Sequence, residues 1–342
     1  MARQNPGAQV FPAAAKIAHG SAAQAPSISP GGVVPVDSTV SIIQPGEWIS
    51  IYGTNLASGT VVWNGDFPTT LGGTSVEIDG KAAYLEYVSP GQINLQAPDD
   101  MARGTVSVVV TTAAGSASST VTLSEFAPSF SLLDTKHVAG IIIRSNGTGA
   151  YGGGTYDILG PTGNSLGYYT VAATAGDIVE LFGVGFGPTN PAVPAGQPFS
   201  GAAPTSSPIM LYINNVLVKP SFVGLSSAGL YQINLRVPAG LGEGDVPIQA
   251  VAGGMQTQAF AVFSLQASTT TTSPGTVGGV IGSALPPSHF TSGNPGSGVG
   301  TGGAGQGTGP AGQGTGGGGG TGGTGQFRRK RPYHPKLNFE PK

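Results

Sequence analysis

The chain has 342 residues, with 59 Gly, 28 Pro, 9% charged residues and no Cys. So many turn formers, with so few Lys and Glu, exclude long helices as the organising element and point to an all-β protein. Without Cys there is neither a disulfide nor a thiolate metal site. The formal net charge of −2 conceals an asymmetry: residues 37–266 hold 15 acidic and 6 basic side chains, and residues 327–342 hold 6 basic and 1 acidic. An acidic, lysine-poor body is a poor nucleic-acid binder.

In chain order, residues 1–36 are Ala, Gly, Pro and Ser without a period and are expected to be disordered. Pro12 and Lys16 interrupt what would be the apolar core of a signal peptide, so export would depend on an upstream segment or another route. No run reaches the roughly 18 to 20 apolar residues of a membrane helix. Residues 37–125 then give short strands between turns: VSII, EWISIYG, GTVVW, TSVEIDG, AAYLEYV, QINLQA, GTVSVVVTT and STVTL. Alternation, as in Val76 and Ile78 against Glu77 and Asp79, predicts sheets with one covered face and one wet face, hence a β-sandwich. Residues 126–171 read as a connecting segment with a strand over 138–143 and another over 156–159. A second sandwich is expected over 172–266, with a surface insert marked by Pro188, Pro191, Pro194 and Pro198. Residues 267–326, with 23 Gly, read as a flexible linker, and 327–342 as a basic tail.

The two sandwich units repeat one text. PGEWISIYGTNLA (45–57) and GTSVEIDGKAAYLEYVSPGQINLQAP (73–98) return as AGDIVELFGVGFG (175–187) and PIMLYINNVLVKPSFVGLSSAGLYQINLRVP (208–238). Q-I-N-x-x-x-P recurs as Gln92, Ile93, Asn94 and Pro98, then as Gln232, Ile233, Asn234 and Pro238. Within a strand, Ile93 and Leu95 face one way and Gln92, Asn94 and Gln96 the other, so the polar set is expected to satisfy backbone groups of a neighbouring loop. With these motifs the chain resembles a tandem of IPT/TIG-type immunoglobulin-like β-sandwiches, and the pair resembles a C-terminal module of large secreted proteins of soil acidobacteria (Solibacter-type). The resemblance covers about residues 40–266 and implies an extracellular or cell-surface setting, with no established activity.

Several motifs invite an enzymatic reading and lack its context. GNSLG (163–167) has the G-x-S-x-G pattern, but Pro161 precedes it, a β-rich stretch follows, and no histidine is placed to act on Ser165. GTGAYG (147–152) has the dinucleotide-loop glycines without the helix that would receive a pyrophosphate. His19, His137, His289 and His334 show no ligand spacing, so catalytic, metal-ligating and cofactor-binding residues are all expected to be absent. Calcium is the one cofactor left open, through Asp99 and Asp100.

The expected function is therefore a noncatalytic structural or adhesive module of a secreted or cell-surface bacterial protein, with an extracellular protein or polysaccharide as partner. The alternative is a carbohydrate-binding accessory module of a larger extracellular enzyme, contacting ligand through Trp63, Trp48, Tyr168 or Tyr169. Trp63 would serve either as an exposed platform or as a buried core residue. Arg328, Arg329, Lys330 and Arg331 could hold an anionic polymer, including nucleic acid weakly.

Overall fold

The computed structural model describes residues 24–266, which are all-β. The first sandwich runs through β1 (Ser27–Pro35), β2 (Ile42–Ile43), β3 (Trp48–Thr54), β4 (Val61–Val62), β5 (Thr70–Leu71), β6 (Thr74–Ile78), β7 (Lys81–Ala82), β8 (Tyr84–Val88), β9 (Gln92–Gln96), β10 (Gly104–Thr112) and β11 (Gly115–Leu123). The second comprises β12 (Ser129–Phe130), β13 (Gly140–Ile143), β14 (Tyr156–Ile158), β15 (Ile178–Val184), β16 (Ser200–Pro204), β17 (Ile209–Ile213), β18 (Val216–Val218), β19 (Phe222–Ser227), β20 (Leu230–Arg236), β21 (Gly244–Ala252), β22 (Met255–Gln256) and β23 (Val262–Leu265).

Sheet order repeats as the sequence does. One sheet of the first sandwich is ordered β1-β3-β9-β8-β4, and its counterpart in the second is β14-β13-β15-β20-β19-β16. The facing sheets are β2-β11-β10-β6-β5, with β7 on β6, and β18-β17-β21-β22, with β23 on β21. The β6–β7 turn is Asp79-Gly80 and the β17–β18 turn is Asn214-Asn215, all four residues at positive φ, as a two-residue hairpin that follows strand twist requires. The long strand β11 of the first copy is split in the second into β22 and β23.

The apolar half of each alternating strand fills a core between the sheets. In the first sandwich Ile49, Ile51, Ile93 and Leu95 meet Val76, Ile78, Val108 and Val110. In the second Val179, Leu181, Ile233 and Leu235 meet Leu211, Ile213, Ile248 and Ala250. Ile93, Leu95, Ile233 and Leu235 are wholly buried, as the Q-I-N alternation predicts.

Two expected boundaries need correction. Strand β1 occupies residues expected to be disordered, and pairs with β3 from Ser27 opposite Thr54 to Pro35 opposite Ile49. Its alternation is masked by Pro30, Gly31 and Gly32, and an edge strand with a bulge between Ile28 and Val33 tolerates them. The connecting segment is likewise part of a sandwich: β13 pairs with β15 just as β1 pairs with β3, and β12 and β14 extend the same sheet. The second sandwich thus begins near residue 126, because the apolar run 138–142 is buried against β15. The expected linker and tail, 267–342, and residues 1–23 lie outside the described residues.

Truncating the central strand of either copy leaves a cavity that the close-packed sheets cannot collapse. Ile93→Ala and Ile233→Ala should each cost about 2–5 kcal/mol, read as a lower urea midpoint with an unchanged slope.

Candidate functional site

The most distinctive site is the junction between the sandwiches, built from the outward face of β3 and β9. Register places Trp48, Gln96 and Tyr84 in one row across β3, β9 and β8. That row meets the second sandwich: the Trp48 indole donates to the Ala228 carbonyl at 2.7 Å, and the Gly196 amide donates to Gln96 Oε1 at 3.0 Å. Gln96 Nε2 donates in turn to the Gly46 carbonyl at 2.8 Å. Gly196 lies so close to the Tyr84 ring that a Cβ there would fall 2.1 Å from Cζ, so this approach requires glycine.

A second group of contacts surrounds Gln44. The Gly187 amide donates to Gln44 Oε1 at 2.7 Å, Gln44 Nε2 donates to the Tyr231 hydroxyl at 3.1 Å, and that hydroxyl donates to the Gly187 carbonyl. Beyond it, Ser129 Oγ donates to the Val36 carbonyl at 2.8 Å and the Leu132 amide to Asp37 Oδ2 at 2.9 Å. Glu47 sits in this junction with no exposed surface, its Oε2 over Gly185 and neither carboxyl oxygen hydrogen-bonded. Burial pushes its carboxyl well above the usual carboxylate range, and burial likewise raises the Tyr231 phenol. Where the sandwiches separate at the surface they leave a cleft of about 400 Å³, lined among others by Gln44, Lys81, Gln96, Asp99, Pro194 and Tyr231.

The predicted contact residues divide between the two sandwiches. Trp48 and Trp63 are half-buried and meet edge to face, their centroids 5.6 Å apart at 73°; Trp63 meets Phe67 in the same manner at 4.7 Å and 88°. Trp63 is thus neither a core residue nor part of a flat platform. Tyr168 and Tyr169 are 37% and 42% exposed in the second sandwich, where the Tyr151 hydroxyl donates to the Tyr169 carbonyl at 2.8 Å. Asp99 Oδ2 accepts from the Ala195 amide at 3.0 Å, and Asp100 Oδ1 pairs with Lys81 at 3.0 Å and with the Ala102 amide at 2.8 Å. Among the described residues no group of three or more His, Asp or Glu is arranged to hold a metal. Ser165 lies in a turn with no helix after it, and GTGAYG lies in the connection of the β13–β14 hairpin. Arg328, Arg329, Lys330 and Arg331 lie outside the described residues.

One polar cluster had no sequence signal, and the repeated Gln and Asn residues form a second. His137, almost fully buried, places Nδ1 2.9 Å from Asp134 Oδ2 and Nε2 2.9 Å from Asp245 Oδ2, tying the 134–138 turn to β21. Burial alone would raise Asp245, but hydrogen bonds from Lys136, Ser264 and His137 outweigh it and hold its carboxyl down at about 2. On the first sandwich Ser50 Oγ and Gln92 Nε2 both donate to Asn94 Oδ1, at 3.0 and 2.8 Å, and Gln232 Nε2 repeats the second bond to Asn234 Oδ1 at 2.9 Å. The repeated Gln and Asn therefore bond each other, and Gln96 reaches the backbone of a neighbouring loop at Gly46, as expected. Burial pushes the neighbouring Glu86 carboxyl up to about 7, against a hydrogen bond with Asn94.

Because Glu86 binds its proton more tightly folded than unfolded, its stabilisation is complete below the ordinary value of 4.5 and is lost as pH rises to about 7. Glu86→Gln should be near neutral at pH 4 and stabilising by about 2–3 kcal/mol at pH 8, measured by urea unfolding at both pH values.

No curated protein matches the chain. Among solved structures it is similar to the plexin A4 extracellular region, at 12% identity over 70% of this chain and 18% of that one, TM-score 0.24. It is also similar to the Bacteroides ovatus mixed-linkage glucan utilization locus SGBP-B in complex with a mixed-linkage heptasaccharide, at 13% identity over 70% and 45%, TM-score 0.29. A third is SGBP-B from a complex xyloglucan utilization locus in Bacteroides uniformis, at 15% identity over 70% and 49%, TM-score 0.22. The chain spans less than half the length of each. Residues 27–125 match the model of the IPT/TIG domain, and the fold is that immunoglobulin-like β-sandwich.

Proposed function

We propose that residues 27–266 act as a noncatalytic structural module of a secreted or cell-surface bacterial protein, in which two sandwiches are held at one fixed mutual orientation to space and present adhesive surfaces. The observation that carries this reading is the junction itself. Domains tethered only by a linker keep their polar surfaces hydrated, whereas Gln44, Trp48, Gln96 and Asp37 spend theirs on second-sandwich partners. Each such bond contributes about 1 kcal/mol net, and breaking one alone leaves a desolvated partner behind. Together they couple the sandwiches more strongly than a flexible tether would.

The aromatic residues support the same reading. Trp48 uses its N–H on Ala228, and the Trp48, Trp63 and Phe67 rings pack against one another. An edge-to-face cluster serves as a wedge at the domain boundary; a sugar ring would need a flat, open face.

Coupling is measurable. The wild-type protein should unfold in one calorimetric transition, and the triple variant Gln44→Ala, Trp48→Phe, Tyr231→Phe in two. Two separate, unmoved transitions in both proteins would remove the basis for a rigid pair.

A further inference from the structure

The two copies differ sharply on one surface, and the difference points to a binding site. The outward face of the β6–β10 sheet in the first sandwich carries Ser75 and Glu77 on β6, Val109 and Thr111 on β10, Ser116 on β11, and Ala82 on β7 opposite Glu77. The register of the second sandwich is the same: Met210 and Tyr212 on β17 face Val251 and Gln249 on β21, Gln256 on β22 lies beside Val251, and Leu217 on β18 lies opposite Tyr212. Position for position, Ser75 becomes Met210, Glu77 becomes Tyr212, Ala82 becomes Leu217 and Thr111 becomes Val251, while Val109 becomes Gln249. The fold is therefore stable with hydroxyls and a carboxylate on this face, and the apolar version answers no structural need. Leu217 is 62% exposed and Met210 48%.

The lining defines the chemistry of the occupant. Met210, Tyr212, Asn215, Gln249, Val251 and Gln256 border a shallow depression of about 460 Å³, and none of them is charged. Gln249 Nε2 donates to Gln256 Oε1 at 3.2 Å, which fixes both amides and leaves the Gln249 oxygen as acceptor and the Gln256 nitrogen as donor. Asn215 apart, the named residues lie on four strands, one or two on each, and cover a patch roughly 15 Å across, an area far below the roughly 800 Å² per partner that a stable dimer buries. A small apolar floor with one aromatic ring, an oriented donor–acceptor pair and no charge suits the C–H faces and rim hydroxyls of pyranose rings. We infer that this face of the second sandwich, centred on Tyr212, Gln249 and Gln256, binds a neutral oligosaccharide chain.

The test is affinity electrophoresis of the full chain through gels containing a soluble β-glucan, a galactomannan or an arabinoxylan, with acidic alginate as the control. At least one neutral polysaccharide should retard the protein, and alginate should not. Tyr212→Ala and the surface change Gln256→Ala should each weaken that retardation at least tenfold, while Glu77→Ala, at the matching position of the first sandwich, should leave it unchanged. Gln256 lies at the sheet surface, so its variant keeps the test valid if Tyr212→Ala fails to fold. Migration unaffected by all three neutral polymers, or retardation that survives Gln256→Ala, would overturn the inference. So would a concentration-dependent dimer in sedimentation that Leu217→Asp dissociates, because the face would then belong to a second copy.

Discussion

The described structure depends on a constraint at the domain boundary: polar groups removed from water there must find partners in the other sandwich. The Trp48 indole, the Gln44 and Gln96 amides and the Asp37 carboxylate all leave solvent when the sandwiches meet, and each is met by backbone at residues 228, 187, 196 and 132. Ala228 lies on a turn and Gly196 on a bend, which present bare amides and carbonyls at close range. Gly196 and Gly185 show how close, since a Cβ at either position would overlap a first-sandwich side chain. Glu47 is the exception, a fully enclosed carboxyl for which no side chain of the other sandwich is a partner, and burial pushes it well above the usual carboxylate range because charging it there would forfeit hydration.

Duplication supplied one topology and left surface chemistry free to diverge. Glu47 and Asp177 occupy matching positions, yet the first is sealed in the junction and the second pairs with Arg144 at 2.8 Å. Trp48 and Ile178 also match; one wedges against the neighbouring sandwich and the other is left 39% exposed. What both copies retain is internal: the Ile and Leu of the central strand in the core, and the Gln-to-Asn bond on its other face. Core positions are held by close packing, whereas outward positions are held only by whatever touches them.

Much of the fold was legible because period-two alternation maps directly onto burial. Val76 and Ile78 are buried and Glu77 is exposed, as their pattern implies. Strand β1 was not legible, since its Pro and Gly carry the signature of a turn and its pairing depends on β3, a partner local pattern cannot reveal. The junction was hidden for a related reason: Gln44 and Tyr231 lie 187 residues apart, and neither forms a motif. Trp48 and Trp63 were named from the sequence as ligand contacts by residue type alone, and their geometry depends on neighbours such as Phe67 and Ala228 that sequence spacing does not place.

The irregular course of β1 also bears on how such a fold avoids edge-to-edge pairing. A sheet edge offers unpaired amides and carbonyls to any other extended chain, and tandem sandwiches multiply such edges. Pro30, exposed on the outermost strand, has no amide to offer, and the bulge between Ile28 and Val33 breaks the regular spacing an incoming strand would need. The feature that concealed this strand from pattern reading thus also guards the molecule against runaway strand-to-strand polymerisation.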